Sequence, residues 1–527
     1  MERASGILMP ISCLPSPYGI GTFGKAAYEF VDFLKASGQR YWQLLPLNPI
    51  DSAGSPYSSV STFAGNAYYI DPDILISEGF VTKSFVDSLD WGDDKSRVDY
   101  AKINIASESM LRQAFETGKQ ICLEQVNLFR YENPWVENYA FYMALKKSFD
   151  SKSWQDWPDE DIRMRRPEAM KFYSEKCADE IEYYVFVQYL FFEQWKALKE
   201  YGNKRGIKFI GDIPIYVALD SADVWSEPQW FRLDEKGHPL LVSGCPPDPF
   251  AEDGQLWGNP LYDYQKMQWD GFGWWIRRVG GAEKLYDVIR IDHFRGFESY
   301  WAVPAGDKTA INGHWEKGPG MNLVGVLTSW FRNLRFIAED LGFITPEVKQ
   351  LLSDSGLPGM KLLQFAFTEE EANDAAPYMC PVNSIYYIGT HDNDTALGWV
   401  KTYHPGAVKK AAEYMNVKNE EDWLDTMIRT AMGTPSFLYV MTMQDALGLG
   451  SEARMNVPGV PTGNWTWRML PGANDKALAV KILTYTKLYG RYANLTLEDE
   501  QAIAMKKARE EAERKAKEKA KKTEKPV

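Results

Sequence analysis

"ILMPISCLPSPYGIGTFGKAAYEFVDFLKASGQRYWQLLPL" spans residues 7 to 47 and changes its hydrophobic period twice. It opens on ILMPIS and closes on YWQLLPL, two apolar runs of strand length. Between them Ala27, Phe30, Val31 and Leu34 fall at i, i+3, i+4 and i+7, one face of a helix, and Gly38 supplies the stop. Strand, helix, strand at this spacing predicts a βαβ unit and hence a parallel sheet.

The pattern recurs along the chain. Further strand-like runs are KFIGDIPIYV (208 to 217), VIRID (288 to 292), FIAED (336 to 340), MKLLQFAF (360 to 367), IYYIGTHD (385 to 392) and FLYVMTMQD (437 to 445). Eight such runs, several separated by helical patterns, predict an α/β fold of the closed (β/α)8 (TIM) barrel type, with an open doubly wound sheet as the competing architecture. Two connections are too long for simple crossovers, about 51 to 206 and about 218 to 286. They are read as inserted, largely helical subdomains at the C-terminal rim of a catalytic barrel spanning 1 to 500. Residues 501 to 527 form a charged tail, helical or disordered, with Glu511/Lys515 and Glu513/Lys517 at i, i+4 spacing.

GIGTFG (19 to 24) satisfies G-x-G-x-x-G letter for letter. A dinucleotide loop, however, needs its first glycine at the strand end and an acid closing the second strand. Here LPSP intervenes, and YWQLLPLNP carries no acid. The match reads as a turn opening a helix.

A net charge of −13 argues against a nucleic-acid partner, whose phosphates require clustered Lys and Arg. A neutral substrate suits that balance. Five widely spaced Cys with no C-x-x-C spacing suggest reduced thiols. With neither an apolar leader nor an 18-residue apolar run, the sequence reads as that of a cytoplasmic protein with no membrane partner.

The chemistry lies in acids at strand ends: Asp212, Asp292, Glu339 with Asp340, and Asp392 with Asp394. Helix capping accounts for any one of them but poorly for all together. Converging on one barrel mouth, they could hold Mg²⁺, or supply the two carboxylates that cleave a glycosidic bond. Arg290 favours the second. Two residues before Asp292 it shares that strand's face, and its guanidinium is expected to keep Asp292 ionised. Glu339 needs the opposite, a pKa raised by neighbouring carboxylates so that it carries a proton. H-E-x-x-H and H-x-H spacings are absent, so neither a metal nor another cofactor is expected.

The chain resembles the 4-α-glucanotransferases (amylomaltases or disproportionating enzymes) of glycoside hydrolase family 77, relatives of the α-amylase barrel. The resemblance covers roughly residues 5 to 495 and rests on segments in the family's order, among them SPY, FAGN, GDIPIYV, SGCPPDPF, GQLWGNPLY, RIDHFRGFE, AEDLG, LPGMK, GTHDND, SEARMN and GNWTWR. It implies Asp292 as nucleophile, Glu339 as general acid/base and Asp392 as the third carboxylate, with Tyr57, Asp212, Arg290 and His391 contacting the sugar. It also implies a lid over the groove carrying Phe250 and Trp257, Asn259 as a further substrate-binding residue, and maltooligosaccharides, amylose and glycogen- or starch-like glucans as substrates. The family commonly has Tyr then Phe after PPD, whereas here Pro249 precedes Phe250. An α-glucan hydrolase and a non-catalytic carbohydrate-binding protein are the alternatives; the latter would be expected to lack one of the three carboxylates, and none is missing. Trp465 and Trp467 read as packing, Cys245 as an inert thiol, and His293, by strand alternation, as a structural residue turned away from the mouth.

Overall fold

The computed structural model describes residues 3–51, 53–247, 251–367, 373–460 and 462–492. All eight predicted strands are present: β1 (Ala4–Leu8), β2 (Tyr41–Gln43), β3 (Lys208–Ile213), β6 (Val288–Ile291), β9 (Arg335–Ala338), β10 (Gly359–Leu362), β11 (Ser384–Tyr387) and β12 (Leu438–Thr442). They form one sheet in the order β10-β11-β12-β1-β2-β3-β6-β9, and every paired neighbour is parallel. Its ends meet where the Ala338 N–H donates to the Pro358 carbonyl at 2.9 Å, giving the (β/α)8 barrel. The predicted helix after β1 is Lys25–Ala36, with Ala27, Phe30, Val31 and Leu34 buried and Gly38 at φ +75 just beyond.

Each strand stops short of its apolar run. Pro10 and Pro214 remove ladder donors soon after β1 and β3, and β11 ends five residues before Asp392. The apolar residues beyond these ends, among them Met9, Ile11, Leu44 and Ile215, stay buried in the loops, which is why hydrophobicity continues where pairing does not.

The first long connection is helical, including Tyr100–Gly118, Leu123–Glu132, Trp135–Ser148 and the 27-residue Ala178–Lys204 that leads back to β3. The second contains Gly273–Leu285 and also two strands, β4 (Leu241–Cys245) and β5 (Gln255–Pro260). These join β7 (Ser299–Pro304) and β8 (His314–Lys317) in an antiparallel sheet ordered β5-β4-β7-β8. In the sequence, barrel strand β6 therefore falls between the two halves of this rim sheet, whose β4 and β7 pair directly. The sequence pattern missed this sheet because its strands are short, and Gly244 and Gly258 interrupt β4 and β5. The charged tail, residues 501 to 527, lies outside the described residues.

The glycine loop is a packing turn. A Cβ on Gly24 would stand 1.9 Å from Asp71 Oδ2, an oxygen that also accepts the Thr22 hydroxyl at 2.5 Å. A carboxylate thus occupies the position that a phosphate cradle would need to leave open.

Candidate active site

Register on the barrel wall assembles the first half of the site. Asp212 on β3 and Arg290 on β6 are paired neighbours, and both are buried. Arg290 Nη1 donates to both Asp212 oxygens at 2.7 Å and to Asp292 Oδ1 at 2.9 Å. The Tyr57 hydroxyl, from the segment after β2, donates to Asp212 Oδ2 at 2.8 Å and lies 2.8 Å from His391 Nε2. Having one proton, a hydroxyl that donates to Asp212 must accept from His391, which places the imidazole proton on Nε2. That nitrogen also lies 3.3 Å from Asp392 Oδ2. Asp292, Arg290, Asp212, Tyr57, His391 and Asp392 therefore form one unbroken polar arc around the mouth.

Glu339 joins through the next strand. Ile291 and Ala338 are the last paired residues of β6 and β9, so Asp292 and Glu339 are neighbours one step beyond, on strands spaced about 4.8 Å apart. Glu339 Oε2 accepts the His293 N–H at 2.7 Å and Oε1 accepts the Leu341 N–H at 2.8 Å, which fixes the carboxyl plane.

Burial sets the protonation order. It pushes Asp292 up to about 6, against the opposing pull of Arg290. It pushes Glu339 further, to about 7, with Arg290 opposing and Asp292 reinforcing the rise. The ion pair expected between Arg290 and Asp292 is present, with desolvation outweighing its pull. Burial would raise Asp392 too, yet His391 and the Asn456 amide overcome it and hold this carboxyl well below the usual range. For His391 burial pulls downward, and Asp392 lifts the imidazole above its ordinary value. Near neutrality Asp292 and Asp392 are then ionised beside a protonatable Glu339.

Other expected residues divide. Trp257, on β5, is 37% exposed and turns its ring toward the mouth, edge-on to His293. Asn259 is committed to structure, its amide bonded to the Val217 carbonyl at 3.0 Å and to the Ser243 hydroxyl at 3.1 Å. Phe250 lies outside the described residues. Asp340 turns away, bonded to the Met360 N–H at 2.6 Å and Lys361 Nζ at 2.9 Å, and Asp394 bonds the Thr395 N–H and the Ser451 hydroxyl. Neither acid is the N-cap of the helix that follows it, a role taken by Thr345 and Thr395; both are taken up by these bonds within the scaffold. Trp467 is core, but Trp465 stands with its ring centroid 5.8 Å from Tyr57 and 6.0 Å from His391, so it belongs to the site wall.

Sequence reasoning also missed Asn456, whose amide donates to Asp392 Oδ1 at 2.6 Å, and Arg454, which holds the Asp392 carbonyl at 2.8 Å. Both sit in SEARMN, after the last barrel strand, where no periodicity marks them. Among the described residues no group of His, Cys, Asp and Glu is spaced to hold a metal ion; the cation within the carboxylate cluster is Arg290.

Residues 9–473 match the glycoside hydrolase 77 family, described as 4-alpha-glucanotransferase. The chain is 47% identical over 496 residues to the 4-alpha-glucanotransferase of Streptococcus pneumoniae, covering 93% of this chain and 98% of that protein. It is 45% identical over 486 residues to the Clostridium butyricum 4-alpha-glucanotransferase, covering 92% and 100%. An amylomaltase from Streptococcus agalactiae, solved in complex with acarbose, superposes with a TM-score of 0.91 at 39% identity, over 93% of this chain and all of that one.

Proposed function

The chain belongs to the 4-alpha-glucanotransferase family, and from that premise we propose that it moves α-1,4-glucan segments by double displacement on Asp292 and Glu339. The adjacency of these two residues across β6 and β9 carries the reading. Carboxyl groups about 5 to 5.5 Å apart suit a retaining pair, whereas an inverting pair leaves room for water between them. Asp292 attacks the anomeric carbon while Glu339 gives its proton to the departing glycosidic oxygen. Glu339, now a carboxylate, takes the proton of an acceptor 4-hydroxyl, which attacks the same carbon and releases Asp292. Two inversions leave the α configuration intact.

Tyr57, His391 and Asp392 hold the glucose ring between the two steps, and Asp392 stays charged so that it accepts from sugar hydroxyls throughout. Trp257 offers an aromatic face to the acceptor, which favours a sugar over water. Donors are maltooligosaccharides, amylose and starch- or glycogen-like chains, and the setting is the cytoplasm. That setting is in keeping with the absence of disulfides among the described residues. Among the described residues no helix is long and apolar enough to cross a membrane.

Incubation with maltotriose tests the reading. Transfer gives glucose together with longer oligomers; glucose and maltose alone would mean hydrolysis, and unchanged sugar a binding protein. Activity should persist in EDTA.

A further inference from the structure

The Arg290 guanidinium is gripped at two corners. Nη1 serves Asp212 and Asp292, while Nε donates to the thioether of Met360, with 3.4 Å between nitrogen and sulfur. Arg290 stands on β6, the fourth strand of the barrel in chain order, and Met360 on β10, the sixth. Alternate strands of such a barrel send their inward side chains into one layer, so the two residues meet inside the barrel past β9. Both are buried, Met360 completely.

The backbone beneath the sulfur is fixed as well. Asp340 Oδ1 accepts the Met360 N–H at 2.6 Å, and Oδ2 accepts Lys361 Nζ at 2.9 Å. A Cβ on Gly359 would stand 2.6 Å from Asp340 Oδ1, so a glycine before Met360 is what lets the carboxylate come this close. Asp340, turned away from the mouth, thereby sets the strand that carries the thioether.

Methionine is the long apolar side chain that carries an acceptor; leucine fills much the same volume without one. A carboxylate at this corner would accept more strongly, but it would also draw the positive charge away from the two aspartates. The thioether orients the guanidinium plane and leaves its charge to Asp212 and Asp292.

We propose that Met360 is a positioning residue for the transfer reaction: its sulfur holds the Arg290 guanidinium in the orientation in which Nη1 reaches Asp292. This rests on the transferase reading above. Met360 acts through Arg290, not on the sugar. The groups that face Asp292 are Arg290 on its own strand, Asp212 from β3, Glu339 beyond the end of β9, and His391 with Asp392 beyond β11. After burial, which raises the Asp292 pKa, Arg290 is the strongest of these influences and lowers it. A guanidinium released at Nε pivots away from Asp292, so this carboxyl then titrates higher.

Two variants test this, each checked for folding by its thermal unfolding midpoint and assayed with maltotriose across pH. Met360→Leu keeps the volume and removes the acceptor. Met360→Gln returns an acceptor, as a carbonyl oxygen, on an unbranched chain. In Met360→Leu, kcat should fall about threefold with KM little changed, the effect of one weak hydrogen bond lost, and the acidic limb of kcat/KM should move up by about half a unit. Met360→Gln should bring both most of the way back. An acidic limb left in place in Met360→Leu, whatever happens to kcat, would reduce Met360 to packing and overturn the proposal; so would a folded Met360→Gln with the limb of Met360→Leu. Should Met360→Gln fail to fold, Met360→Leu decides alone, and Met360→Ile stands in for Met360→Leu on the same terms. Failure of the wild type to lengthen maltotriose would instead sink the transferase reading.

Discussion

Arg290 reaches Asp292 at 2.9 Å with the nitrogen that Asp212 takes at 2.7 Å, so one guanidinium is shared between two carboxylates. Its hold on Asp292 is thereby divided. With Asp292 needed as carboxylate and Glu339 as acid, kcat/KM should be bell-shaped, falling below about pH 6 and above about pH 7. Asp212 raises Asp292, so Asp212→Asn should move the acidic limb downward by up to about one unit, whatever it does to the maximum rate. An acidic limb that stays put or moves up in this variant would contradict the shared-cation account.

The same burial predicts a stability effect. Asp292 titrates near 6 when folded, above its ordinary value of 3.8. Its contribution to stability is therefore fully present below pH 3.8 and is lost as pH rises through about 6. Asp292→Asn keeps an oxygen for Arg290 while removing the charge. Transfer should drop by about a thousandfold or more, as for a lost nucleophile. Denaturant unfolding at pH 8 should show the variant more stable than wild type by about 1–2 kcal/mol, with the gap closing by pH 4. A gap independent of pH would separate Asp292 from the buried-charge argument.

Asn456 supports Asp392 from a segment that no strand or helix pattern identifies. Asn456→Ala removes the 2.6 Å bond to Oδ1 and leaves the carboxylate one anchor fewer on the sugar side. kcat/KM for maltotriose should fall about tenfold, the cost of one charge-assisted hydrogen bond, with the unfolding midpoint little changed. A loss under twofold would mean that His391 alone positions Asp392.

The contrast between Asn456 and Asp292 shows what the sequence made legible. Strands declare themselves by apolar runs, and a parallel barrel delivers every strand's end to one rim, so Asp212, Arg290 and Asp292 could be placed from local pattern alone. Glu339 and Asp340 are adjacent and equally acidic, yet one faces Asp292 and the other Lys361. That choice belongs to the turn after β9, which periodicity does not reach. Strand alternation likewise ends at His293, where the backbone turns left-handed at φ 50, so periodicity does not reach its side chain. The rim sheet was hidden because β4 and β5 precede β6 while β7 and β8 follow it, a pairing that no local window contains.

At the opposite end of the barrel, Arg491 is buried without a hydrogen-bonded carboxylate partner among the described residues. Burial lowers its pKa to about 9. It serves as a backbone clamp: Nε donates to the Met432 carbonyl at 2.8 Å, Nη1 to Ala4 at 3.0 Å and Nη2 to Thr434 at 3.2 Å, joining the chain after helix Lys476–Leu488 to the start of β1. Arg3 donates to Met432 and Thr434 as well, so truncating one guanidinium leaves those carbonyls partly served, but that of Ala4 loses its Arg491 donor. Arg491→Ala should cost about 3 kcal/mol, from unsatisfied carbonyls and the cavity together, read as a lower urea midpoint at unchanged slope. Because the clamp lies on the face that carries stability, kcat of the folded variant at 25 °C should stay within about twofold of wild type. A large loss of kcat at full folding would show instead that the clamp sets the geometry of the mouth through β1 and β12.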